Sequence, residues 1–147
     1  MDDLRLSLEQ FLPYRLNRLA DAVSRNFSSL YKERSGMTRP EWRLLATLGQ
    51  YGTMTATEVG KHSSMHKTKV SRAVTALEAR RWLERRTNSE DKRVEHLVLS
   101  KSGEKAYKDL VPLARGFEEK LLDQLSEQDR KTVLAGLGIL ERVALTD

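Results

Sequence analysis

The chain has 147 residues, with 26 lysines and arginines against 21 aspartates and glutamates and a formal net charge of +5. It contains no cysteine, which excludes disulfides, thiolate metal sites and thiol redox sensing. No apolar run approaches the roughly 20 residues of a membrane span and the charged start MDDLRLSLEQ has no signal-peptide core, so one cytoplasmic domain away from the membrane is expected.

Ser7 to Lys32 reads as one long helix, with Leu12, Leu16, Leu19, Val23 and Leu30 at three/four spacing and Phe11 and Phe27 beside them. Pro13 falls in its first turn, and Gly36 ends it. A second helix opens at Thr38, where Thr38 and Glu41 form a T-x-x-E capping box and Pro40 sits where no donor is missed. Trp42, Leu45 and Leu48 give it a core face, and QYGTM closes it. Thr55 and Glu58 repeat the box at the start of a short helix, and Gly60 with His62, Ser63 and Ser64 makes a turn.

The next helix carries the clearest pattern. Val70, Ala73, Val74 and Leu77 recur at i, i+3, i+4 and i+7 and share one face. The opposite face shows Thr68, Ser71, Arg72 and Thr75, flanked by Lys67 and Lys69, with no carboxylate before Glu78. A strand (WLERRT), a charged loop (NSEDKR) and a returning strand (VEHLVL) follow. A short helix, a turn, a longer helix with cations and hydroxyls outward, and a two-stranded wing together suit the major groove of double-stranded DNA. Between Thr55 and Arg93 there are ten Lys and Arg against five Asp and Glu, so the rest of the chain is neutral and the whole surplus lies on this module. A localised surplus is the electrostatic footprint of a phosphate-binding surface. Arg72 and Thr68, central on the outward face, are the candidates for base edges. Lys67, Lys69 and Ser71 are the candidates for phosphate.

Beyond the wing, Ser100 to Gln124 reads as a long helix with Tyr107, Leu110, Val111, Phe117, Leu121 and Leu122 among its apolar positions and Pro112 expected to bend it. Ser126 and Asp129 open a last helix with Val133, Leu134, Leu137, Leu140 and Val143. Apolar stripes this wide exceed what one small monomer covers, so a homodimer is expected. His62 and His66 stand four residues apart, but no further ligand accompanies them and they straddle the turn, so no metal is assigned. His96 reads as a strand residue. There is no Gly-rich phosphate loop and no G-x-S-x-G elbow, so neither a cofactor nor an enzymatic activity is expected.

The run SEDKRVEHLVLSKSG resembles the wing signature of the MarR (multiple antibiotic resistance regulator) family, a D-x-R followed by L-x-L-[TS] and a glycine. The matching residues here are Asp91, Arg93, Leu97, Leu99, Ser100 and Gly103. Upstream, KVSRAVTALEARRWLERR is similar to the family's recognition helix and first wing strand, with one departure: Arg81 stands where a glycine usually ends that helix. The resemblance implies a mainly α fold with a small β-wing, in which a winged helix-turn-helix (37–103) is flanked by N- and C-terminal dimerisation helices (1–36 and 104–147). It implies a homodimeric transcriptional regulator, a repressor on an inverted-repeat operator, released by a small aromatic acid or acyl thioester. Arg86 and Arg93 lie on the wing, where Arg93 resembles the family's minor-groove or backbone arginine with Asp91 aligning it; Lys92 reads as solvated. Tyr14, Arg15 and Trp42 are candidates for an effector pocket, since an aromatic wall with one cation suits an aromatic carboxylate or thioester; Trp42 reads equally as an ordinary core residue. The competing reading is a helical interaction module whose basic face takes an acidic protein partner.

Overall fold

Proline has no N–H to donate four residues back, and its ring crowds that carbonyl, so Pro13 is best placed in the first turn of a helix, where no such bond is due. In the computed structural model, which describes residues 4–91 and 93–146, the chain starts its first helix twice. Leu8–Gln10 form a 3-10 turn, Phe11 is extended at φ −85° and ψ 117°, and α1 spans Leu12–Ser35. The helix expected from Ser7 to Lys32 is therefore shorter at its start. It is longer at its end, where Gly36 takes a left-handed φ of +70°.

Both T-x-x-E boxes close. The Thr38 hydroxyl accepts from the Glu41 N–H while Glu41 Oε2 accepts from the Thr38 N–H at 2.8 Å, opening α2 (Arg39–Tyr51). Thr55 and Glu58 do the same for α3 (Ala56–Ser63), and the Thr55 N–H holds the Glu58 carboxyl below its ordinary pKa. Each cap contributes about 1 kcal/mol. Strand β1 (Met54–Thr55) is only two residues long, too short for any alternation to announce it in the sequence. Then come α4 (Lys67–Ala79), β2 (Leu83–Thr87) and β3 (Glu95–Leu99), in an antiparallel sheet of order β1-β3-β2 with Leu83 opposite Leu99 and Arg85 opposite Leu97. Lys92 lies outside the described residues.

Helix α4 ends in a Schellman motif: the Trp82 N–H donates to the Leu77 carbonyl at 3.0 Å and the Arg81 N–H to that of Glu78 at 2.9 Å. Arg81 sits at φ +63°, so it keeps the backbone that glycine usually supplies here. An L side chain in this region costs about 1–2 kcal/mol. Arg81→Gly is expected to stabilise the protein by about 1 kcal/mol, less than the full relief because glycine also loosens the unfolded chain. Urea unfolding checks this, as a raised midpoint at unchanged slope.

Tyr31, Leu44, Leu45, Leu48, Val59, Val70, Leu77 and Leu97 form the fully buried core, joining the end of α1 to α2, α3, α4 and the sheet. Trp42 packs edge-on against Phe27, with ring centroids 5.1 Å apart. Helix α5 spans Lys101–Asp123, with Pro112 inside it, and α6 spans Glu127–Ala144. The chain divides into two compact units, the first running through Val111 and the second starting at Pro112. In the second unit, the Ser126 hydroxyl accepts from the Asp129 N–H and Arg130 pairs with Asp123 at 3.0 Å. Helix α6 buries none of its residues.

Candidate nucleic-acid interface

Helices α3 and α4 are joined by a turn that needs close backbone approach. Ser64 takes a left-handed φ of +53°, and the Met65 N–H returns to the Gly60 carbonyl at 3.0 Å. A Cβ on Gly60 would meet the Met65 carbonyl at 3.2 Å, so a small residue suits the crossing. His66 then caps α4, its Nδ1 accepting from the Thr68 N–H at 3.2 Å. His62 is engaged elsewhere, with Nε2 3.0 Å from the Tyr51 hydroxyl. Among the described residues no group of three or more His, Cys, Asp or Glu side chains is placed to hold a metal.

The two faces of α4 separate as the periodicity implies. Val70, Ala73, Val74 and Leu77 are buried, while Lys67, Thr68, Lys69, Ser71 and Arg72 are all exposed. Lys67, Lys69 and Arg72 make no ion pair among the described residues. Helices α2, α3, α5 and α6 each carry an acidic residue in the first turn; α4 carries none and begins with Lys67 and Lys69. Cations at a helix N-terminus oppose the macrodipole, at about 0.3–1 kcal/mol each. For the isolated helix that arrangement is unfavourable, and a phosphate brought to it reverses the sign.

The wing is ordered by its own polar groups. The Asn88 side-chain carbonyl accepts from the Glu90 N–H at 2.8 Å and the Asp91 N–H at 3.3 Å, and the Asn88 N–H donates to the Val94 carbonyl at 3.0 Å. Asp91 accepts from the Arg93 N–H at 3.0 Å and from its Nε at 3.1 Å, so it aims a guanidinium whose side chain is 90% exposed. The Arg93 side chain in turn holds the Asp91 carboxyl below its ordinary pKa. Arg86 is also exposed, 3.9 Å from Glu84. Arg85 is not available in the same way. It bridges Glu78 on α4 at 3.0 Å and Glu95 on β3 at 3.2 Å, and the Glu78 hydrogen bond raises its already high pKa. In the sequence Arg85 is one more cation of the basic module. Its place two residues after Leu83 puts it on the same face of the strand as that residue, toward Glu78 and Glu95.

A cleft of about 530 Å³ separates α3 and α4 from the wing, with Ala56, Met65, Val74 and Leu97 on its apolar walls and Lys67, Ser71 and Arg85 on its polar ones. Lys67 and Ser71 thus face the wing side of α4. Of the candidate effector residues, Tyr14 and Arg15 line an exposed groove along α1 with Leu12, Arg18 and Leu19. Trp42 packs on Phe27, farther along α1 than Tyr14 by about 20 Å at 1.5 Å per residue. One chain by itself does not bring the three together.

Residues 35–94 match the MarR family sequence profile. The chain is 28% identical over 124 residues to an uncharacterised HTH-type transcriptional regulator, YwoH, of Bacillus subtilis (strain 168), covering 84% of this chain and 89% of that one. It is similar to the crystal structure of the MarR family transcriptional regulator SPO1453 from Silicibacter pomeroyi DSS-3, at 29% identity and a TM-score of 0.80, covering 95% and 98% of the two chains. The fold is also that of BpsR from Bordetella bronchiseptica, at 19% identity and a TM-score of 0.81, covering 97% and 99%; that structure concerns regulation of the protein's DNA binding by 6-hydroxynicotinic acid.

Proposed function

We propose that the protein, whose residues 35–94 match the MarR family profile, is a homodimeric transcriptional repressor that binds an inverted-repeat operator in double-stranded DNA. The observation that carries this is α4: a buried apolar face, an outward face free of carboxylates up to Glu78, and two lysines where the other capped helices place acids. Thr68 and Arg72 read base edges, Lys67, Lys69 and Ser71 hold phosphates, and Arg86 and Arg93 reach the flanking groove or backbone from the wing, with Asp91 aiming Arg93. The dimer is formed by residues 1–36 and 104–147. Its support is the apolar surface that a single chain leaves open: Leu12, Leu16 and Leu19 on α1 and Val133, Leu134 and Leu137 on α6 are all exposed.

Release is by a small aromatic acid or acyl thioester. BpsR supports this class, since 6-hydroxynicotinic acid is an aromatic acid, and Tyr14, Arg15 and Trp42 are the residues proposed to meet it. The three come from separate places in one chain, so the site needs the assembled dimer.

Selection of bound duplexes from a random pool tests the reading, with an inverted repeat as the expected product and half-sites about 34–36 Å apart. Repeating the binding titration with a panel of aromatic acids and coenzyme A thioesters tests release. In the same assay Arg72→Ala is expected to cost about 1–3 kcal/mol and relax one base position per half-site. Lys69→Ala should weaken all sequences alike and flatten the salt slope by about one unit. Identical specificity profiles for the two variants would remove the division between reading and anchoring. An acidic protein partner, the competing occupant of the basic face, would leave no duplex enriched.

A further inference from the structure

The C-terminal end of α4 is held by more than its own helix. Arg80, the last residue before the left-handed Arg81, donates from a terminal guanidinium nitrogen to the carbonyl of Ser35 at 2.7 Å. Ser35 is the final residue of α1, where carbonyls have no partner within their own helix. Arg80 Nε lies 3.9 Å from Glu41, a buried carboxylate whose other oxygen is occupied by the capping box that starts α2. The guanidinium also lies over the Trp82 ring, 4.9 Å from its centroid. The next two residues attach to a third helix: the Arg81 carbonyl accepts from the Ser100 hydroxyl at 2.6 Å, and the Trp82 carbonyl from the Ser100 N–H at 2.9 Å, at the start of α5. One planar side chain therefore gathers the end of α1, the start of α2 and the end of α4, and its neighbours add the start of α5.

We propose that Arg80 is a positioning residue that fixes the tilt of the recognition helix against α1, and so sets the half-site spacing that the dimer accepts. The inference rests on the regulator reading above. If α1 and α5 carry the dimer, the distance between the two copies of α4 depends on how each is seated on those helices. The contacts sit at the far end of α4 from Lys67 and Lys69, so loosening them swings the reading face while leaving its chemistry intact. A lysine does not replace Arg80, because it has no planar fork to reach Ser35 and Glu41 together or to stack on Trp82. Local folding does not depend on Arg80, since α4 closes on its own Schellman bonds and is anchored by Val70, Val74 and Leu77.

The test is selection from a library of inverted repeats whose half-sites are constant and whose spacer varies by one base pair at a time, with the wild-type protein, Arg80→Met and Arg80→Lys. Circular dichroism and thermal unfolding establish that each variant is folded. The wild type is expected to prefer one spacing over its neighbours by about tenfold, the variants by about twofold, a change within the range of coupling between sites. Base preference within each half-site stays as in wild type. Should Arg80→Met not fold, Arg80→Lys alone carries the comparison. A folded Arg80→Lys with wild-type spacing discrimination, or one whose base preference changes while spacing does not, overturns the proposal. A wild-type protein that enriches no repeat overturns this proposal and the regulator reading together, whereas spacing-selective wild type with unchanged variants overturns this one alone.

Discussion

Replacing Leu134 and Leu137 by aspartate is expected to turn the proposed dimer into a monomer and to lower affinity for the proposed operator by about 10²–10⁴-fold, the advantage that linked binding of two half-sites confers. Both side chains lie on α6 and are 51% and 45% exposed in the single chain. Burying a leucine fully contributes about 1.5–3 kcal/mol, and an aspartate at the same position must be neutralised or paired before it can be buried. Because α6 buries none of its own residues, the core built on Leu44, Leu48, Val70 and Leu97 loses nothing. Light scattering should therefore report half the mass at unchanged thermal stability of the winged domain, and anisotropy with a single half-site should match the wild type. A double variant that stays dimeric would take α6 out of the interface.

Gly103→Ala should be the most destabilising single methyl addition in the chain, at about 3 kcal/mol and roughly 10 °C in Tm. A Cβ at this position would lie 2.0 Å from the carbonyl oxygen of Trp82, a backbone atom fixed by the sheet and by its bond from Ser100. The first turn of α5 must move away, taking the Ser100 cap with it. Gly49→Ala is the control. There the added Cβ meets a side chain, the Tyr107 ring, rather than backbone, so the loss should be smaller. Thermal and urea unfolding of the two variants decide the point, and equal losses would mean that the Trp82 backbone yields as easily as a ring. This contact is the physical reason that position 103 needs a glycine in this chain.

The features legible in the sequence are those set by neighbours along the chain. The apolar face of α4, the capping boxes at Thr38 and Thr55, the wing hairpin and the localised positive charge all follow from spacing and composition, since a helical or extended backbone repeats on a known period. The Asp91–Arg93 pair, implied by the resemblance of the wing loop, is likewise made between two residues of one short loop. The start of α1 is only partly legible: Pro13 does fall in the first turn of the helix, but that helix opens at Leu12 rather than Ser7, after a 3-10 turn at Leu8–Gln10 and an extended Phe11.

What only the tertiary structure decided is which partner each cation takes, and where separate segments meet. Arg80, Arg85 and Arg86 all belong to Arg-Arg pairs, yet Arg80 clamps Ser35 and Glu41, Arg85 bridges Glu78 and Glu95, and the exposed Arg86 lies only 3.9 Å from Glu84. Strand β1 exists only because β3 lies alongside it. Tyr14 and Trp42, joined in one expected pocket, lie apart in the single chain because Trp42 packs on Phe27, about 20 Å along α1 from Tyr14. Periodicity specifies which face of an element is buried; the choice among distant polar partners depends on distances that packing alone sets, because an ion pair a few ångströms too long is worth little in water.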